Sequence, residues 1–372
     1  MNRRLIALTV GGLMCLGAAE SRAQVGPGVG TPIVPSGTNT NSRVGTRGAN
    51  FLEIGLGARA MGMAGAYSSL AEGFSSLYWN LAGTAEVTGV AGGFDYSQLY
   101  GKDGLNFLWG GALLPAGSGV IGVQLGQLSS GKITRTTYDF PDGGDPTSGA
   151  TFDYAGTMAE VSYGRRLTDR LNVGVGFKYA SEGISNASVT YFGADVGLRF
   201  RTGLYGSTIG ATLTNAGSTG HFSGNAVKAN VFNTFVPGVV RVSYGTQDFE
   251  MPTTFRFSIM EDLLGSAEAL FSPNTGAGQL RAVGEFANAI DTDLQGALGL
   301  EYGLRDMVFL RAGKRWMNEQ NTSGKDKDFQ RGLAFGGGVR LPLGGRHVQF
   351  DYAWNGAGVL GNTNHFTFEF GF

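Results

Sequence analysis

The chain ends with residues 365–372, HFTFEFGF, in which phenylalanine stands at every second position. The residues between these rings are threonine, glutamate and glycine. Successive side chains of a β-strand point to opposite faces, so this segment places a row of aromatic rings on one face and small or charged groups on the other. The pattern predicts a strand whose aromatic face meets an apolar phase.

The same alternation recurs through the chain from residue 87 onwards. In residues 173–179, for example, Val173, Val175, Phe177 and Tyr179 alternate with Gly174, Gly176 and Lys178. A soluble sandwich would alternate as well and bury its apolar face between two sheets. Here the other face carries glycine, alanine and isolated charges, and aromatic residues gather near segment ends, which favours a lipid-facing barrel.

We predict an all-β fold: a closed antiparallel transmembrane β-barrel of fourteen strands over residues 86–372, with a hatch in its lumen. A fifteenth segment with strand character, 236–245, is assigned to a hairpin in the connection after strand seven, because a single-chain barrel of this kind needs an even count. The predicted strands cover residues 87–97, 105–114, 118–128, 155–166, 170–181, 188–200, 206–214, 252–261, 279–289, 294–303, 306–315, 331–341, 346–355 and 363–372.

Connection lengths test this strand count. Most connections after even strands are short turns, and those after odd strands include the long polar segments 129–154, 215–251 and 316–330. Long connections of such barrels face outward and short turns face the periplasm. The connection after strand eight is too long for this rule and the one after strand nine too short, so the register of strands eight to ten is the least constrained.

The N-terminal region reads as an export signal followed by a leader. Arg3 and Arg4 precede an apolar run, and residues 21–23 form a small-x-small cleavage pattern, which predicts a signal peptide over 1–23 cut between Ala23 and Gln24. The only cysteine, Cys15, lies within this signal. Residues 24–50 are rich in glycine, proline, serine, threonine and asparagine and are predicted to form a flexible leader.

Residues 51–85, FLEIGLGARAMGMAGAYSSLAEGFSSLYWNLAGTA, are predicted to form the hatch. Eight of the twelve residues from Gly55 to Ala66 are glycine or alanine, so this backbone can approach a wall closely. A fourteen-stranded barrel is too wide to be filled by its own side chains, and this segment precedes strand one. The alternative is a solvated glycine-rich loop. The candidate hatch residues are Gly57, Arg59, Gly62, Met63, Gly65, Tyr78, Trp79, Asn80 and Gly83.

Charges on the predicted inner face are the other candidate site. Arg199, Arg201 and Arg311 alternate with apolar residues and are expected to point into the lumen, as are Asp351 and Glu369. Either these groups pair with one another or with carbonyl groups and hold the hatch, or they line a polar path whose charge sets selectivity. Arg59 is expected to meet an inward carboxylate or carbonyl, and Tyr78 and Trp79 to lie near the periplasmic mouth.

The sequence gives little support for a catalytic site or for nucleic-acid binding. The three histidines are far apart in sequence without metal-ligand spacing, and serine, histidine and aspartate merely co-occur, so we expect no enzyme, no cofactor and no metal. A formal net charge of −1 leaves no basic footprint for nucleic acid.

Residues 55–83, GLGARAMGMAGAYSSLAEGFSSLYWNLAG, closely resemble the N-terminal signature of the PorV/PorQ family, relatives of the FadL-type transporter barrels. Further matches are GVGFKYASEG from Gly174, LGLEYGLRDMVFLRAG from Leu298, VQFDYAWN from Val348 and the closing HFTFEFGF, so the resemblance covers nearly all of the mature chain. One departure is Leu81, where the family has proline. The terminal aromatic residue, Phe372, is typical of barrels assembled into the outer membrane.

The resemblance implies a non-enzymatic outer-membrane protein in contact with lipid, with both termini periplasmic. Members of the family serve type IX secretion, so the first hypothesis is a barrel that binds and shuttles the C-terminal domains of secreted cargo together with partner barrels. The alternative is a FadL-like passive channel for a hydrophobic small molecule, gated by the hatch.

Overall fold

The computed structural model describes residues 45–101, 104–146, 151–232, 239–271, 278–317 and 331–371. The predicted cleavage site at Ala23 and Gln24, most of the leader and the terminal Phe372 therefore lie outside the described residues. Among the described residues, no helix is long and apolar enough to cross a membrane.

Fourteen antiparallel strands close into one barrel, which confirms the predicted fold class. Each strand pairs with its neighbours in chain order, and β1 pairs with β14 from Ala91 opposite Gly371 to Gln98 opposite Asn364. The strands are β1 Ala91–Gln98, β2 Asn106–Ala116, β3 Gly119–Ser129, β4 Tyr154–Arg166, β5 Leu171–Ile184, β6 Ala187–Arg201, β7 Thr208–Gly217, β8 Thr254–Leu264, β9 Gln279–Ala289, β10 Gln295–Leu304, β11 Val308–Met317, β12 Leu333–Leu343, β13 Arg346–Gly356 and β14 Asn362–Gly371.

The pairing is regular except at two places. The register shifts between Ala194 and Val196 on β6, opposite β7, and between Asp262 and Leu264 on β8, opposite β9. At the first shift Asn215 of β7 has a φ of 59°, in the left-handed region that asparagine tolerates better than most residues. Of strands eight to ten, whose register was the least constrained, β9 lies at 279–289 as predicted and β10 is shifted by one residue, whereas β8 begins two residues later and ends three residues later than predicted.

The two ends of the barrel differ in their connections. We call the end that carries connections 99–105, 130–153, 185–186, 218–253, 290–294, 318–332 and 357–361 the long-connection end. The opposite, short-turn end carries connections 117–118, 167–170, 202–207, 265–278, 305–307 and 344–345. Within the long connection after β7, Lys228–Phe232 pairs with Val239–Ser243, which places the predicted fifteenth segment in a loop hairpin.

The outer wall is apolar and the inner wall is polar or small. Side chains such as Leu125, Phe177 and Leu310 are more than half exposed although they are large and apolar, and they alternate along their strands with buried inward residues. Burying such a belt in lipid would remove apolar surface from water. The apolar core of the protein therefore lies inside the barrel, between its inner wall and the hatch.

The hatch has little regular structure of its own. Its helical pieces are the single turns Ala58–Met61 and Ser76–Trp79 and the 3-10 segments Asn50–Glu53, Gly73–Ser75 and Leu81–Glu86. Four-residue helices are too short to be stable alone in water, so contacts with the barrel must hold the hatch in shape.

Candidate functional site

The candidate site is the lumen with the hatch inside it. Almost every hatch residue from Leu56 to Leu70 is buried, and its backbone reaches side chains on strands from several sides of the barrel. Ala58 N donates to the hydroxyl oxygen of Thr367 on β14 at 2.6 Å, and Gln124 of β3 donates to the Leu77 carbonyl at 2.6 Å. Asn355 of β13 donates to the Met61 carbonyl at 2.8 Å.

Arg59 is the centre of a buried ion network. It is 4% exposed and donates to both carboxylate oxygens of Glu301 on β10, through Nε at 2.9 Å and Nη2 at 2.8 Å. Its Nη1 donates to Glu72 of the hatch at 2.7 Å. Burial alone would raise the pKa of Glu72, but the charge of Arg59 holds it at about 2. Arg59 thus joins two parts of the hatch to the wall in one charge-assisted cluster.

Arg311 and Asp351 extend this network along the wall. Arg311 of β11 is buried and donates to Glu301 at 2.7 Å and to Asp351 of β13 at 2.6 Å. Gln349 donates to the second oxygen of Asp351 at 2.6 Å. Arg311 is therefore paired with two carboxylates beside Arg59 and does not face open solvent.

Other carboxylates accept hydrogen bonds from the hatch backbone. One oxygen of Glu285 on β9 accepts from Tyr67 N at 3.0 Å and Ser68 N at 2.8 Å, and Glu369 on β14 accepts from Phe74 N at 2.9 Å. Each carboxylate satisfies amide groups that have no partner within the hatch. Glu285 and Glu301 were not among the sequence-predicted residues. The signal that could have found them is a lone acidic residue on the inner face of a predicted strand.

Arg199 and Arg201 lie at the short-turn end of β6 and both pair with Glu86, the residue that follows the hatch. Arg199 is buried and also donates to the Ser69 carbonyl at 2.9 Å, whereas the Arg201 side chain is 47% exposed. Glu86 therefore ties the last turn of the hatch to the barrel rim. Arg201, predicted to face the lumen, lies at its edge.

Asn80 shapes the end of the hatch. Its side-chain oxygen accepts from Ala82 N at 3.1 Å, which caps the 3-10 segment Leu81–Glu86, while its amide donates to the carbonyls of Ser68 and Leu198. Leu81 is the first residue of that segment, a position at which proline is well tolerated because the N–H there has no helical partner. The turn therefore forms around the Asn80 cap with leucine where the family has proline.

Tyr78 and Trp79 lie deep in the lumen, away from the short-turn mouth where we expected them. The Tyr78 hydroxyl donates to the carbonyls of Leu52 and Ile54, and its ring packs edge-on against Trp109 of β2 at 5.7 Å. Trp79 donates to the Leu56 carbonyl at 2.7 Å. The two rings connect the last part of the hatch with its first part, which is why they cannot lie at the rim.

The hatch glycines and the glycines of the wall permit close approach. A Cβ on Gly83 would overlap the Ala71 carbonyl, and Gly57 and Gly65 have φ values of 86° and 80°. Met63 is buried where the wall has Gly299 and Gly313, and a Cβ on Gly313 would lie 2.6 Å from the Met63 carbonyl oxygen. Gly62 stands against the wall in the same way, at Gly336.

A second buried polar network lies across the lumen from Arg59. Lys178 of β5 is 5% exposed and contacts Asp195 at 2.6 Å, Asn215 at 2.8 Å and Glu160 at 3.4 Å. Gln124 joins this network to the hatch, since it donates to Glu160 and to the Leu77 carbonyl. Charges of both signs are thus paired within the wall.

Ser97, Asp95 and His365 meet at the seam between β1 and β14. The Ser97 hydroxyl donates to Asp95 at 2.6 Å and lies 2.5 Å from Nδ1 of His365. Asp95 contacts Ser97 and Thr367, while the second ring nitrogen of His365 faces Thr363, so the histidine does not stand between serine and aspartate as it would in a catalytic triad. All three side chains are fully buried beside the hatch, so this cluster fits a structural role.

Glu53 is a hatch carboxyl whose pKa is strongly raised in the folded protein. Burial, followed by the charge of Asp291 and a hydrogen bond with it, raises the pKa of Glu53 to about 8 from an ordinary value of 4.5, while the charge of Arg256 opposes the shift. Asp291 belongs to the connection after β9, so this carboxyl pair joins the hatch to the long-connection end.

We predict that hatch docking weakens as the medium becomes alkaline. The raised pKa means that the folded protein favours protonated Glu53, so this contribution to stability is complete below about pH 4.5 and is lost as pH rises through about 8. Protease resistance of residues 45–60, measured across this range, should fall in the wild type. Glu53→Gln should reduce this pH dependence, and an unchanged profile in that variant would contradict the prediction.

Cavities remain beside the hatch. One of about 250 Å³ opens near the short-turn end and is lined by polar side chains, among them Arg281, Glu301, Arg305 and Asp306. A cavity of about 40 Å³ lies between Trp79, Glu53 and the wall residues Arg256 and Arg315. No group of three or more metal-ligating side chains was found among the described residues.

Comparison with known proteins identifies the fold. The toluene transporter TodX of Pseudomonas putida superposes with a TM-score of 0.51 at 12% identity, covering 85% of this chain and 96% of that chain. A TodX deltaS2S3 mutant, described as a monoaromatic hydrocarbon channel, gives a TM-score of 0.53 at 12% identity and covers 85% and 97%. No family model matches the sequence, and no curated protein matches it.

At this level of identity the similarity shows the fold alone. The chain is a closed fourteen-stranded barrel, as the sequence resemblance implied, and it shares this fold with TodX. The narrower PorV/PorQ assignment stays a prediction. Both neighbours are described as transport proteins.

Proposed function

We propose that this protein is an outer-membrane barrel that passes hydrophobic small molecules, with the hatch as its gate. The observation that carries the proposal is a hatch packed inside a barrel with an apolar outer belt, in a fold shared with a toluene transporter and a monoaromatic hydrocarbon channel. The outer belt suits lipid and the closed sheet leaves no unpaired strand edge.

The side chains at the long-connection mouth favour a hydrophobic solute over a polar one. Phe51 of the hatch packs against Phe107 at 6.3 Å between ring centroids, and Phe222 packs against Phe249 at 6.2 Å. Tyr191 and Met251 are buried in the same cluster. When the hatch rearranges, these apolar side chains would offer such a solute contacts that keep it out of water.

Passage requires the hatch to move within the lumen. Its buried residues leave cavities much smaller than the lumen, and single polar contacts such as Asn355 with the Met61 carbonyl fasten its backbone to the wall. Because each neutral hydrogen bond contributes only about 1 kcal/mol net, local rearrangement of one part of the hatch is within thermal reach. The ion network of Arg59 is the strongest fastening.

Flux measurements test the proposal. Purified protein in liposomes is expected to admit a monoaromatic hydrocarbon faster than empty liposomes do, and Arg59→Met, which loosens the hatch, should increase this flux. Asp306→Asn, which weakens an ion pair with Arg340 at the rim and keeps the Arg340 bond to Gln349, is the matched control and should leave the flux unchanged. If neither the wild type nor Arg59→Met moves the hydrocarbon, the channel function is wrong.

The secretion hypothesis rests on the sequence resemblance alone. The fold comparison adds no support for cargo domains or partner barrels, and the long connections after β3, β7 and β11 are described only in part. The channel is therefore the function that the described geometry favours.

A further inference from the structure

Two arginines of the wall line the same two small cavities beside the hatch. Arg256 of β8 and Arg315 of β11 border the cavity of about 40 Å³ described above and a neighbouring cavity of about 10 Å³. In the strand register Arg256 lies opposite Ala287 of β9, and Arg315 lies opposite Ala297 of β10. Because alanine is short, both long side chains have room to extend over the wall into these cavities. We call the two cavities together the arginine chamber.

Arg315 contacts the hatch through backbone groups only. Its Nε donates to the Ala64 carbonyl at 2.9 Å, and a Cβ on Gly65 would lie 2.5 Å from its Nη2. Within the part of the chain that the structure describes, no carboxylate forms an ion pair with this half-buried guanidinium. Burying a charge without a partner is costly, so Arg315 favours a counter-ion in the chamber.

Arg256 has a carboxylate partner that is already engaged elsewhere. Its Nη1 lies 3.5 Å from Glu285, and its guanidinium stands 5.1 Å from the centre of the Trp79 ring. Glu285 also accepts the amide N–H groups of Tyr67 and Ser68. Glu285 therefore offsets the charge of one arginine at most.

The other carboxyl group that lines the chamber is Glu53. Its pKa of about 8 keeps it mostly protonated at neutral pH, and Asp291 hydrogen-bonds to it from the connection after β9. Gln295 of β10 adds an amide to the lining of both cavities. The chamber thus presents two guanidinium groups and an amide to the space between wall and hatch.

We propose that the arginine chamber binds a small monovalent anion such as chloride, held between Arg256 and Arg315. Guanidinium and amide N–H groups are donors that an anion accepts well, and one negative charge would offset the charge that Glu285 leaves unpaired. A cavity needs roughly 10–15 Å³ to hold one water, so about 40 Å³ admits a dehydrated halide but not a sugar acid such as gluconate.

A bound anion would strengthen hatch docking. Both arginines also contact the hatch, Arg315 at the Ala64 carbonyl and Arg256 over the Trp79 ring. An anion between them would hold both side chains in the positions that make these contacts. This inference goes beyond the channel function, because it concerns the docked hatch and not the solute that the barrel passes.

Limited proteolysis of the purified full chain in detergent tests the proposal in solution. Protease should cut within residues 51–85 more slowly in sodium chloride than in sodium gluconate of equal ionic strength. At ten times its Kd, an anion that binds only the docked hatch lowers the undocked population about tenfold, and cutting follows that population when opening is fast. Equal cutting of the wild type in the two salts would overturn the proposal.

Substitution of Arg315 shows whether the salt effect arises in the chamber. Arg315→Gln should abolish the difference between chloride and gluconate. Arg170→Gln is the matched control, because Arg170 is exposed in a turn at the short-turn end, and it should keep the difference. If Arg315→Gln keeps the full difference, the anion binds elsewhere and the proposal is wrong.

A carboxylate built into the chamber gives a test that keeps both arginines. Ala287 lies opposite Arg256 and lines both cavities, so Ala287→Asp places a negative charge where the anion is expected. This variant should resist protease in gluconate as well as the wild type does in chloride. Ala287→Asn has the same shape without the charge and should be no more resistant in gluconate than the wild type. Equal protection by the two variants would attribute docking to filled space and overturn the role of charge.

Crystals transferred to sodium bromide locate the anion. An anomalous peak is expected between the two guanidinium groups in the wild type and not in Arg315→Gln. A peak together with equal proteolysis in the two salts would mean binding at crystal concentration only and would overturn the proposal. None of these measurements depends on hydrocarbon flux, so the anion site and the channel function can fail separately.

Discussion

Arg59→Met is expected to release the middle of the hatch while the barrel stays closed. The substitution removes the cation that hydrogen-bonds to both Glu72 and Glu301. Glu301 keeps Arg311 at 2.7 Å as a partner, so the wall remains neutralised. Glu72 loses its 2.7 Å partner, and the hatch turn that carries Arg59 loses its charge-assisted bonds to β10.

The expected cost is large because the pair is buried. Breaking a buried ion pair by removing one partner costs about 3–5 kcal/mol, since the remaining charge is left poorly solvated. Part of this cost is relieved here because Glu301 keeps two other arginines, Arg311 and Arg281, as partners. We therefore expect hatch docking to weaken by about 2–4 kcal/mol, somewhat less than the full cost of breaking a buried pair.

Two measurements separate the hatch from the barrel. Limited proteolysis in detergent should cut Arg59→Met within residues 51–85 at protease concentrations that the wild type withstands. The folded barrel should still migrate faster than the boiled protein on a denaturing gel. The Glu301 and Arg311 side chains stay in place in this design, so a loss of the folded band would show that Arg59 is needed for barrel assembly and not only for docking.

The matched control is an ion pair at the rim. Arg340 pairs with Asp306, whose side chain is 75% exposed, at 3.1 Å. Exposed pairs contribute at most about 1 kcal/mol, so Asp306→Asn should leave the protease pattern of the hatch unchanged. This variant keeps the hydrogen bond from Arg340 to Gln349, which contacts Asp351 in the Arg59 network. If protease cut the two variants equally, the buried ion pairs of Arg59 would contribute no more to hatch docking than the exposed pair at the rim.

The strands could be predicted from sequence because each one repeats a simple contrast. In β5, Val175 and Phe177 face outward while Gly174 and Gly176 face the hatch, and this contrast of size and polarity is visible without any tertiary information. Even β9, in the least constrained part of the register, was placed at residues 279–289 as observed. The even strand count then assigned the segment at 236–245 to a loop.

The partners of the hatch could not be predicted in the same way. Which inward carboxylate meets Arg59 depends on how deep in the lumen the hatch lies and how it is oriented. The sequence pattern does not distinguish Glu285, Glu301 and Glu369, since each is an acidic residue on the inner face of a strand. The direction of the hatch was also hidden, because nothing local in residues 45–50 indicates that Gly48 meets Glu250, a residue that follows it by about two hundred positions. These are tertiary contacts of high sequence separation, which local patterns do not encode.

Gly174→Val is expected to detach the end of the hatch from the wall. A Cβ at Gly174 would overlap the carbonyl group of Leu81 and would lie 2.6 Å from the nitrogen of Ala82. All of these atoms are backbone, so no side chain can turn aside to make room. Either β5 or the 3-10 segment Leu81–Glu86 must move.

The movement should fall on the hatch. Strand β5 pairs with both neighbours over its full length, from Leu171 to Ile184 with β6 and from Asn172 to Ile184 with β4. The 3-10 segment is short and depends on the Asn80 cap and its contact with the Leu198 carbonyl. Overpacking of this kind costs about 1–3 kcal/mol, and more where backbone meets backbone, so the weaker element yields.

Hydrogen exchange gives the direct measurement. Peptides covering residues 76–88 should exchange faster in Gly174→Val than in the wild type, whereas peptides from β5 should keep their protection. Valine itself favours strands, so the substitution does not weaken β5 by propensity. The folded band on a denaturing gel again reports on the barrel.

Gly183→Val is the matched control because it makes the same substitution on the same strand. A Cβ at Gly183 would lie 3.5 Å from the Ala187 carbonyl oxygen and 3.8 Å from the Ser188 Cβ, which are ordinary contacts. Exchange in residues 76–88 should therefore be unaffected. If Gly174→Val leaves that exchange unchanged as well, the close approach of the hatch to β5 is wrong.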